Sequence, residues 1–282
     1  RLLTIMKENR TKIELAQDGD INAFQDLFVS FQNQLKSYLF RITASRADAE
    51  DIAHDTFIRA FDKLNTFQHK SSLKTWVFKI ATNLAYNQQK RKNRWTEDVS
   101  ERAKALVMEN PQIAGRIEQV HQHATCGTYE ISEHIDTCFT CISKNLPIEN
   151  QVALLLKDVY DFSVKEIMLI IDNTEGQVKY FLQSARKTMT DIFDRRCALV
   201  NKNGICHQCS ELNGWFNPKQ NQNESKLKIK MVKSAEQSDK SALFKMRVDL
   251  IKAIDPLKSE GNDLQEILLN CNRMAMGEVD VG

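Results

Sequence analysis

The feature that most restricts the fold of this chain is the helical spacing of its apolar residues between positions 11 and 95. In the stretch ADAEDIAHDTFIRAFDKL, residues 47–64, apolar or small side chains recur at steps of three and four. Such a stripe lines one face of an α-helix and is normally buried against other helices. Only four prolines and nine glycines interrupt the 282 residues. The sequence therefore predicts an all-α protein.

The composition along the chain predicts two small helical domains with an appended tail. Residues 11–95 are expected to form one helical block and residues 131–197 a second, and residues 96–130 have the composition of a linker. Residues 198–220 form a Cys/His segment, and residues 221–282 are predicted to contain a flexible linker and an amphipathic helical tail. The net charge is only +2, so affinity for nucleic acid would have to come from local patches.

The helix at 47–64 carries acidic side chains on the face opposite its apolar stripe. Acidic residues on a helix usually form a solvated surface, which is one interpretation here. Ile58 stands among Asp51, Asp55 and Asp62 on this face. An apolar residue in such surroundings favours a docking surface instead.

The stretch SSLKTWVFKIATNLAYNQQKRKNRW, residues 71–95, begins as a core helix and ends in cations. Cations attract phosphates and exposed aromatic rings stack on bases, a combination that suits single-stranded nucleic acid. A basic end is also favoured by the helix dipole alone, so both interpretations stand. The helix is predicted to continue into Lys90, Arg91, Lys92 and Arg94. Its outward face is predicted to carry Thr75, Phe78, Lys79, Thr82, Asn83, Tyr86, Asn87 and Lys90.

The second block contains the pattern of a helix-turn-helix. Ser163 with Glu166, and Thr174 with Gln177, fit two capping boxes that begin successive helices separated by the short turn DNT. In a helix-turn-helix the second helix enters the major groove of DNA with its N-terminal residues on base edges. An αα-hairpin within a helical bundle is the alternative.

These segments resemble the sigma-70-like sigma factors of bacterial RNA polymerase, most of all the extracytoplasmic-function (ECF) group. The first domain shares a Gly-Asp pair, an Ala-Phe pair, an Ala-Glu-Asp start of the second helix, and a Trp-x-x-x-Ile-Ala-x-Asn motif. These occur here at Gly19, Ala23, Ala49 and Trp76. The second domain shares the Leu-Pro at 146–147 and the segments VKEIMLII and VKYFLQSARKTM. The two similar domains cover about half of the chain, in the family's order.

The resemblance implies a role for each surface. The acidic helix would dock on the largest subunit of core RNA polymerase through Asp48, Glu50, Asp51, Asp55, Ile58 and Asp62. The melted strand of the promoter −10 element would be held by Asn65, Phe67, Lys70, Ser71, Ser72, Lys74, Lys79, Asn83, Tyr86, Asn87, Lys90 and Arg91. The −35 element would be read as duplex by Thr174, Glu175, Gln177, Lys179, Tyr180, Gln183, Arg186 and Lys187.

The cysteines allow three interpretations. Cys138-x2-Cys141 and Cys206-x2-Cys209 together could form a four-thiolate zinc site. His134, Cys197 and His207 are alternative ligands. Buried thiols without metal and a redox switch remain open. No cofactor is expected to be required, and a structural zinc ion is the one metal considered.

The tail and the remaining properties complete the hypothesis. Two amphipathic helices, separated by Asp255-Pro256, would either bind an anti-sigma or recruiting protein or cap the chain's own domain. No run of about 18 apolar residues is present to span a membrane, and the scattered cysteines favour the cytoplasm, at the nucleoid. The predicted function is an ECF-type sigma factor without enzymatic activity. A stand-alone helix-turn-helix regulator is the alternative.

Overall fold

The computed structural model of the protein describes residues 2–123, 130–217, 229–258 and 262–280. The regular elements in these ranges are helices, which confirms the predicted fold class. They are α1 Leu2–Gln17, α2 Ile21–Thr43, α3 Arg46–Asp62, α4 Leu73–Gln89, α5 Val99–Glu109, α6 Pro111–His123, α7 Ile131–Ser143, α8 Ile148–Leu154, α9 Val164–Ile171, α10 Glu175–Arg196, α11 Gln208–Phe216, α12 Lys230–Lys233, α13 Lys240–Lys252 and α14 Asn262–Ala275. A 3-10 turn at Leu64–Thr66 follows α3, and a π-helical turn at Leu155–Val159 follows α8.

The first block is α1 to α4, and its core is rich in aromatic rings. Phe57 of α3 lies 5.2 Å from Phe24 and 5.1 Å from Phe28, both on α2, between ring centroids. Side chains just before α2, α3 and α4 accept backbone N–H bonds and so start each helix: Asp20, Ser45 and Ser72. The caps fix where the helices begin, and α3 and α4 pack against α2.

The second block is α7 to α10 and contains the predicted helix-turn-helix. Both capping boxes are formed, at Ser163–Glu166 before α9 and at Thr174–Gln177 before α10. Asp172 ends α9 in the left-handed conformation, with φ of 56°, which turns the chain into α10. The apolar stripes of both helices are buried, so the exposed side of α10 is fixed.

The linker range and the tail are also helical. Residues 96–130 include α5 and α6, while Cys126 and Gly127 lie outside the described residues. The two predicted tail helices are α13 and α14, and the expected linker upstream of them lies partly outside, at 218–228. The tail helix α14 packs against α5 and α7, and α13 packs against α10. The tail therefore covers its own chain.

The two blocks and the tail share one continuous core centred on a buried ion pair. Arg41 of α2 bonds Asp136 of α7 with 2.8 Å between Nη2 and Oδ1, and both side chains are almost fully buried. The same guanidinium donates to the Tyr160 hydroxyl and to the carbonyls of Ile251 and Ile254 in the tail. Residues from three parts of the sequence thus meet around one cation.

Candidate nucleic-acid interface

The acidic face of α3 is open to solvent. Glu50, Asp51, Asp55 and Asp62 are exposed, and Ile58 is 44% exposed in their midst. Asp48 differs, since its carboxylate lies 3.1 Å from the Lys92 ammonium and 3.3 Å from the Arg273 guanidinium. Five of the six predicted docking residues therefore form a free surface, and the sixth joins the tail to the first block.

The residues predicted to hold a single strand are placed unevenly. Asn65, Lys70, Ser72, Asn83, Asn87, Lys90 and Arg91 are exposed. Ser71, Lys74, Lys79 and Tyr86 are half-buried. Phe67 is buried and packs against His69 and Trp76, with ring centroids 4.6 and 5.4 Å away.

The prediction that α4 turns Thr75, Phe78 and Thr82 outward is wrong. All three side chains are buried. The Thr75 hydroxyl donates to Glu166 of α9 at 3.0 Å, and the Phe78 ring lies 4.9 Å from that of Phe162. The Thr82 hydroxyl is hydrogen-bonded to the Tyr38 hydroxyl of α2, in the first block, at 2.8 Å. The second block covers this side of α4. The spacing of apolar residues along one helix does not show that a second domain packs on its other side.

The predicted basic extension of α4 is also wrong, because the helix ends at Gln89. Lys90 and Arg91 stay exposed, whereas Arg94 turns inward and donates to the Leu146 carbonyl at 2.6 Å. Burial lowers the pKa of Arg94 to about 10, against the opposing effect of Glu278. Only half of the expected cationic end is therefore available to an outside ligand.

The interior next to this segment holds a second charged cluster that the sequence reasoning missed. The Lys144 ammonium lies 3.2 Å from the Glu278 carboxylate and 4.6 Å from the centre of the Trp95 ring. It also donates to the Thr43 carbonyl of the first block. Burial lowers the pKa of Lys144 to about 8, although Glu278 opposes the shift. The sequence signal for this cluster was the position of Lys144, directly after the apolar residues of α7, where a cation requires a buried partner.

Lys74 and Lys79 of α4 both interact with the second block. The Lys74 ammonium lies 4.8 Å from the centre of the Phe162 ring, and burial lowers its pKa, with Glu166 opposing. Lys79 lies 3.8 Å from the Asp172 carboxylate at the end of α9. These two of the cations predicted to hold a strand are thus occupied by contacts within the chain, while Lys70, Lys90 and Arg91 stay exposed.

The outward face of α10, in contrast to that of α4, is exposed. Its predicted base- and phosphate-contacting residues are all exposed: Thr174, Glu175, Gln177, Lys179, Tyr180, Gln183, Arg186 and Lys187. Tyr180 is 64% exposed. Lys179 pairs with Glu175 at 2.7 Å, and Arg186 makes two bonds to Asp158 that raise its pKa. This side of α10 is therefore accessible to an outside ligand, with its Lys179 and Arg186 paired to carboxylates of the same chain.

The four cysteines predicted as zinc ligands come together in the structure. Cys138, Cys141, Cys206 and Cys209 line one small cavity, and the alternative ligands Cys197 and His134 line it too. His134 is buried and pairs with Gln265 at 3.1 Å, while His207 is exposed. In the described ranges, no three His, Cys, Asp or Glu side chains stand in metal-binding geometry.

Residues 27–96 match the family model described as Sigma-70 region 2. The chain is 27% identical to the ECF RNA polymerase sigma-E factor of Salmonella typhimurium strain LT2 over 177 residues, which is 63% of this chain and 90% of that protein. The same values hold for the sigma-E factor of Escherichia coli strain K12. The sigma-E factor of Haemophilus influenzae is 27% identical over 175 residues, 62% of this chain and 89% of that protein.

A solved structure of the sigma factor RpoE in complex with the anti-sigma factor NepR, from Bartonella quintana, is similar with a TM-score of 0.41 and 17% identity. That similarity covers 60% of this chain and 96% of the other. None of the helices in the described ranges is both long and apolar enough to cross a membrane.

Proposed function

We propose that this chain, which is a sigma-70-like RNA polymerase sigma factor of the ECF group, directs core RNA polymerase to promoters by holding the −10 and −35 elements through separate domains. The observation that carries this proposal is the combination of two surfaces in one chain. A region 2 match includes the open acidic face of α3, and a helix-turn-helix follows with its reading face exposed. A stand-alone helix-turn-helix regulator is not favoured, since it would need neither region 2 nor that acidic face.

The polymerase contact is proposed to be the exposed part of α3. Asp51, Asp55 and Ile58 offer carboxylates around one apolar side chain, an arrangement that suits a basic helical surface with an apolar centre. The charges would speed association and the buried apolar residue would slow dissociation.

The test is to reverse this chemistry and measure binding to purified core polymerase. Asp51→Lys combined with Ile58→Glu should abolish the complex, because it places like charges and a buried carboxylate at the contact. Asp18→Lys combined with Val29→Glu makes the same changes at exposed positions of the first block and should leave binding intact. Normal binding by the α3 variant would refute the docking assignment.

Promoter contacts are proposed to divide by the form of the DNA. The exposed side of α10 would read the duplex −35 element, since its N-terminal turns carry Gln177, Lys179 and Tyr180 outward. Asn83, Asn87 and Lys90 on α4 would lie along the melted −10 strand. Opening the duplex costs a few kcal/mol per flipped base, which stacking and edge contacts would offset.

The described arrangement is proposed to be a closed form that opens on the promoter. The element names place −35 and −10 about 25 base pairs apart, or roughly 85 Å at about 3.4 Å per pair. In the structure α4 and α9 are in direct contact, and Lys79 pairs with Asp172 between them. One closed molecule is too small to reach both elements in this way, so the domains would separate.

The same proposal covers the remaining properties. The chain would supply promoter recognition and strand opening while the polymerase holds the active site, so it needs neither a catalytic group nor a cofactor. It would act in the cytoplasm at the nucleoid, where polymerase and promoters are. The tail packs on its own chain, which favours a capping role over a free partner-binding role, and a regulatory protein would compete for that position.

A further inference from the structure

The segment between α10 and α11 folds back so that two cysteines lie side by side. Cys197 and Cys206 form an isolated β-bridge, with the Ala198 amide donating to the Cys206 carbonyl at 3.2 Å. Gly204 makes this return possible, because a Cβ atom there would stand 2.6 Å from the Cys197 carbonyl carbon. The loop is therefore built around a close approach of its two ends.

Two further thiols face this bridged pair. Cys209 follows Cys206 by three residues, at the start of α11, and Cys138 projects from α7 on the other side of a cavity of about 50 Å³. Burial raises the pKa of the Cys138 thiol, and nearby Cys206, Cys209 and Cys197 raise it further. Burial and the neighbouring Cys197 and Cys206 have the same effect on Cys209. All four thiols thus line one small cavity, and each of them is half-buried.

Cys141 belongs to different surroundings although it borders the same cavity. Its sulfur lies 3.6 Å from the Asn272 amide nitrogen and 4.0 Å from the Ser100 hydroxyl. Those partners belong to α5 and α14, outside the bridged loop. His134 and His207 are also poor candidates, since one pairs with Gln265 and the other points to solvent.

A buried cation stands next to the four thiols. Arg247 of α13 is 2% exposed and its Nη2 lies 3.4 Å from the Cys197 sulfur. Its guanidinium covers the Phe193 ring at 3.6 Å, and its Nε has no hydrogen-bond partner in the described residues. A buried guanidinium beside neutral thiols lacks a counter-charge, whereas beside thiolates it would have one.

We propose that Cys138, Cys197, Cys206 and Cys209 form a structural site for a thiophilic divalent cation, best matched by Zn²⁺. Four thiols would bind one Zn²⁺ and release four protons, which leaves a site of charge −2 that Arg247 partly neutralises. The sulfurs as placed do not yet enclose a metal, so binding would draw the side chains into the cavity between them. Relative to the set predicted from spacing, Cys197 replaces Cys141.

The proposed metal would fasten three parts of the chain together. Cys138 is on α7, Cys197 ends α10 and Cys209 begins α11, while Arg247 comes from the tail. This role does not depend on sigma activity, so the site and the proposed function can fail separately.

The experiment measures metal in the full-length chain purified without chelators. About one zinc per chain is expected, and Co²⁺ in its place should give the intense sulfur-to-metal charge transfer and d–d bands of a tetrahedral four-thiolate centre. Cys197→Ser should lose metal by at least about tenfold in affinity, and Cys138→Ser should do the same. Cys141→Ser and Cys271→Ser are matched buried controls and should keep it.

A second measurement uses the wild-type chain and so tests the site even if the variants fail to fold. In the wild-type chain, alkylation with and without a chelator should identify four cysteines whose protection depends on metal, namely Cys138, Cys197, Cys206 and Cys209. Loss of metal in Cys141→Ser with retention in Cys197→Ser would overturn the ligand set. A folded wild-type chain that contains no metal and takes up neither Zn²⁺ nor Co²⁺ would overturn the site.

Discussion

The two helices proposed to meet DNA, α4 and α10, differ in how much of their working surface is free. All eight predicted residues on the α10 side are exposed, whereas Lys74, Lys79 and Tyr86 of α4 are half-buried and Thr75 and Phe78 are covered. The difference does not arise from the helices themselves, since both carry a buried stripe and a polar face. It arises because α9 packs on α4, so the surface proposed to read duplex DNA is free while the surface proposed to hold the strand is partly covered.

The contact that closes α4 is partly polar. Thr75 donates to Glu166, Lys79 pairs with Asp172, and Lys74 lies over Phe162. Exposed pairs of this kind contribute little, about 0–1 kcal/mol each, and a hydrogen bond about 1 kcal/mol. The closed form is therefore held by a shared apolar core with a partly polar margin, and a partner that opens it has to replace both.

The largest expected effect is on the distance between the two helices. Probes introduced as unnatural amino acids at Asn83 of α4 and Lys165 of α9, both exposed, should report a short distance in the free chain. With core polymerase and promoter DNA the distance should increase by tens of Å, towards the roughly 85 Å between the elements. A pair at Lys165 and Lys187, inside the second block, should not change. An unaltered first distance would show that the domains work without separating.

An intermediate effect is expected on binding of a duplex −35 fragment by the free chain. Lys179→Ala should weaken it about tenfold, on the order of 1.4 kcal/mol, because an exposed cation on the reading face is removed. Lys79→Ala removes an equal charge from the covered helix and should leave this affinity nearly unchanged. Equal losses in the two variants, measured by titration at a fixed salt concentration, would mean that α4 also contacts duplex DNA.

The smallest effect is expected from one hydrogen bond between the domains. Thr75→Val keeps the shape of the side chain but removes the bond to Glu166, which should favour the open form by about 1 kcal/mol, or roughly fivefold. Thr82→Val removes a bond of 2.8 Å to Tyr38 inside the first block and serves as the control. Hydrogen exchange along α4 and α9 should increase in the first variant only. Faster exchange of α9 in the control as well would indicate general destabilisation instead.

The parts of the fold that the sequence predicts are those with local causes. The capping boxes at Ser163 and Thr174 specify where α9 and α10 begin, and the apolar stripe of α9 specifies its buried side. The exposed acidic face of α3 follows in the same way from the helical spacing of its apolar residues. These features depend on residues within a few positions of each other, which is what a periodic pattern records.

The parts that escape prediction depend on contacts distant in sequence. Thr75 and Glu166 are 91 residues apart, and Lys144 meets a carboxylate near the end of the tail. The cysteines show the same limit: spacing pairs Cys138 with Cys141, but Cys197 reaches the cavity only because a β-bridge places it beside Cys206. Arg41 was a second available signal besides Lys144, because a cation among Leu39, Phe40 and Ile42 requires a buried partner.

The Arg41–Asp136 pair has a consequence for how the molecule opens. A buried ion pair contributes little net stability, since removing both charges from water costs about as much as their attraction returns, and separated charges regain their hydration. The two halves can then be regarded as partners of an intramolecular complex, whose effective concentration is set by the connecting chain. A weak interface suffices to keep such a complex associated at any protein concentration. A competing surface on the polymerase would have to replace the shared apolar core rather than this ion pair, so activation of this chain would be a partner exchange without unfolding.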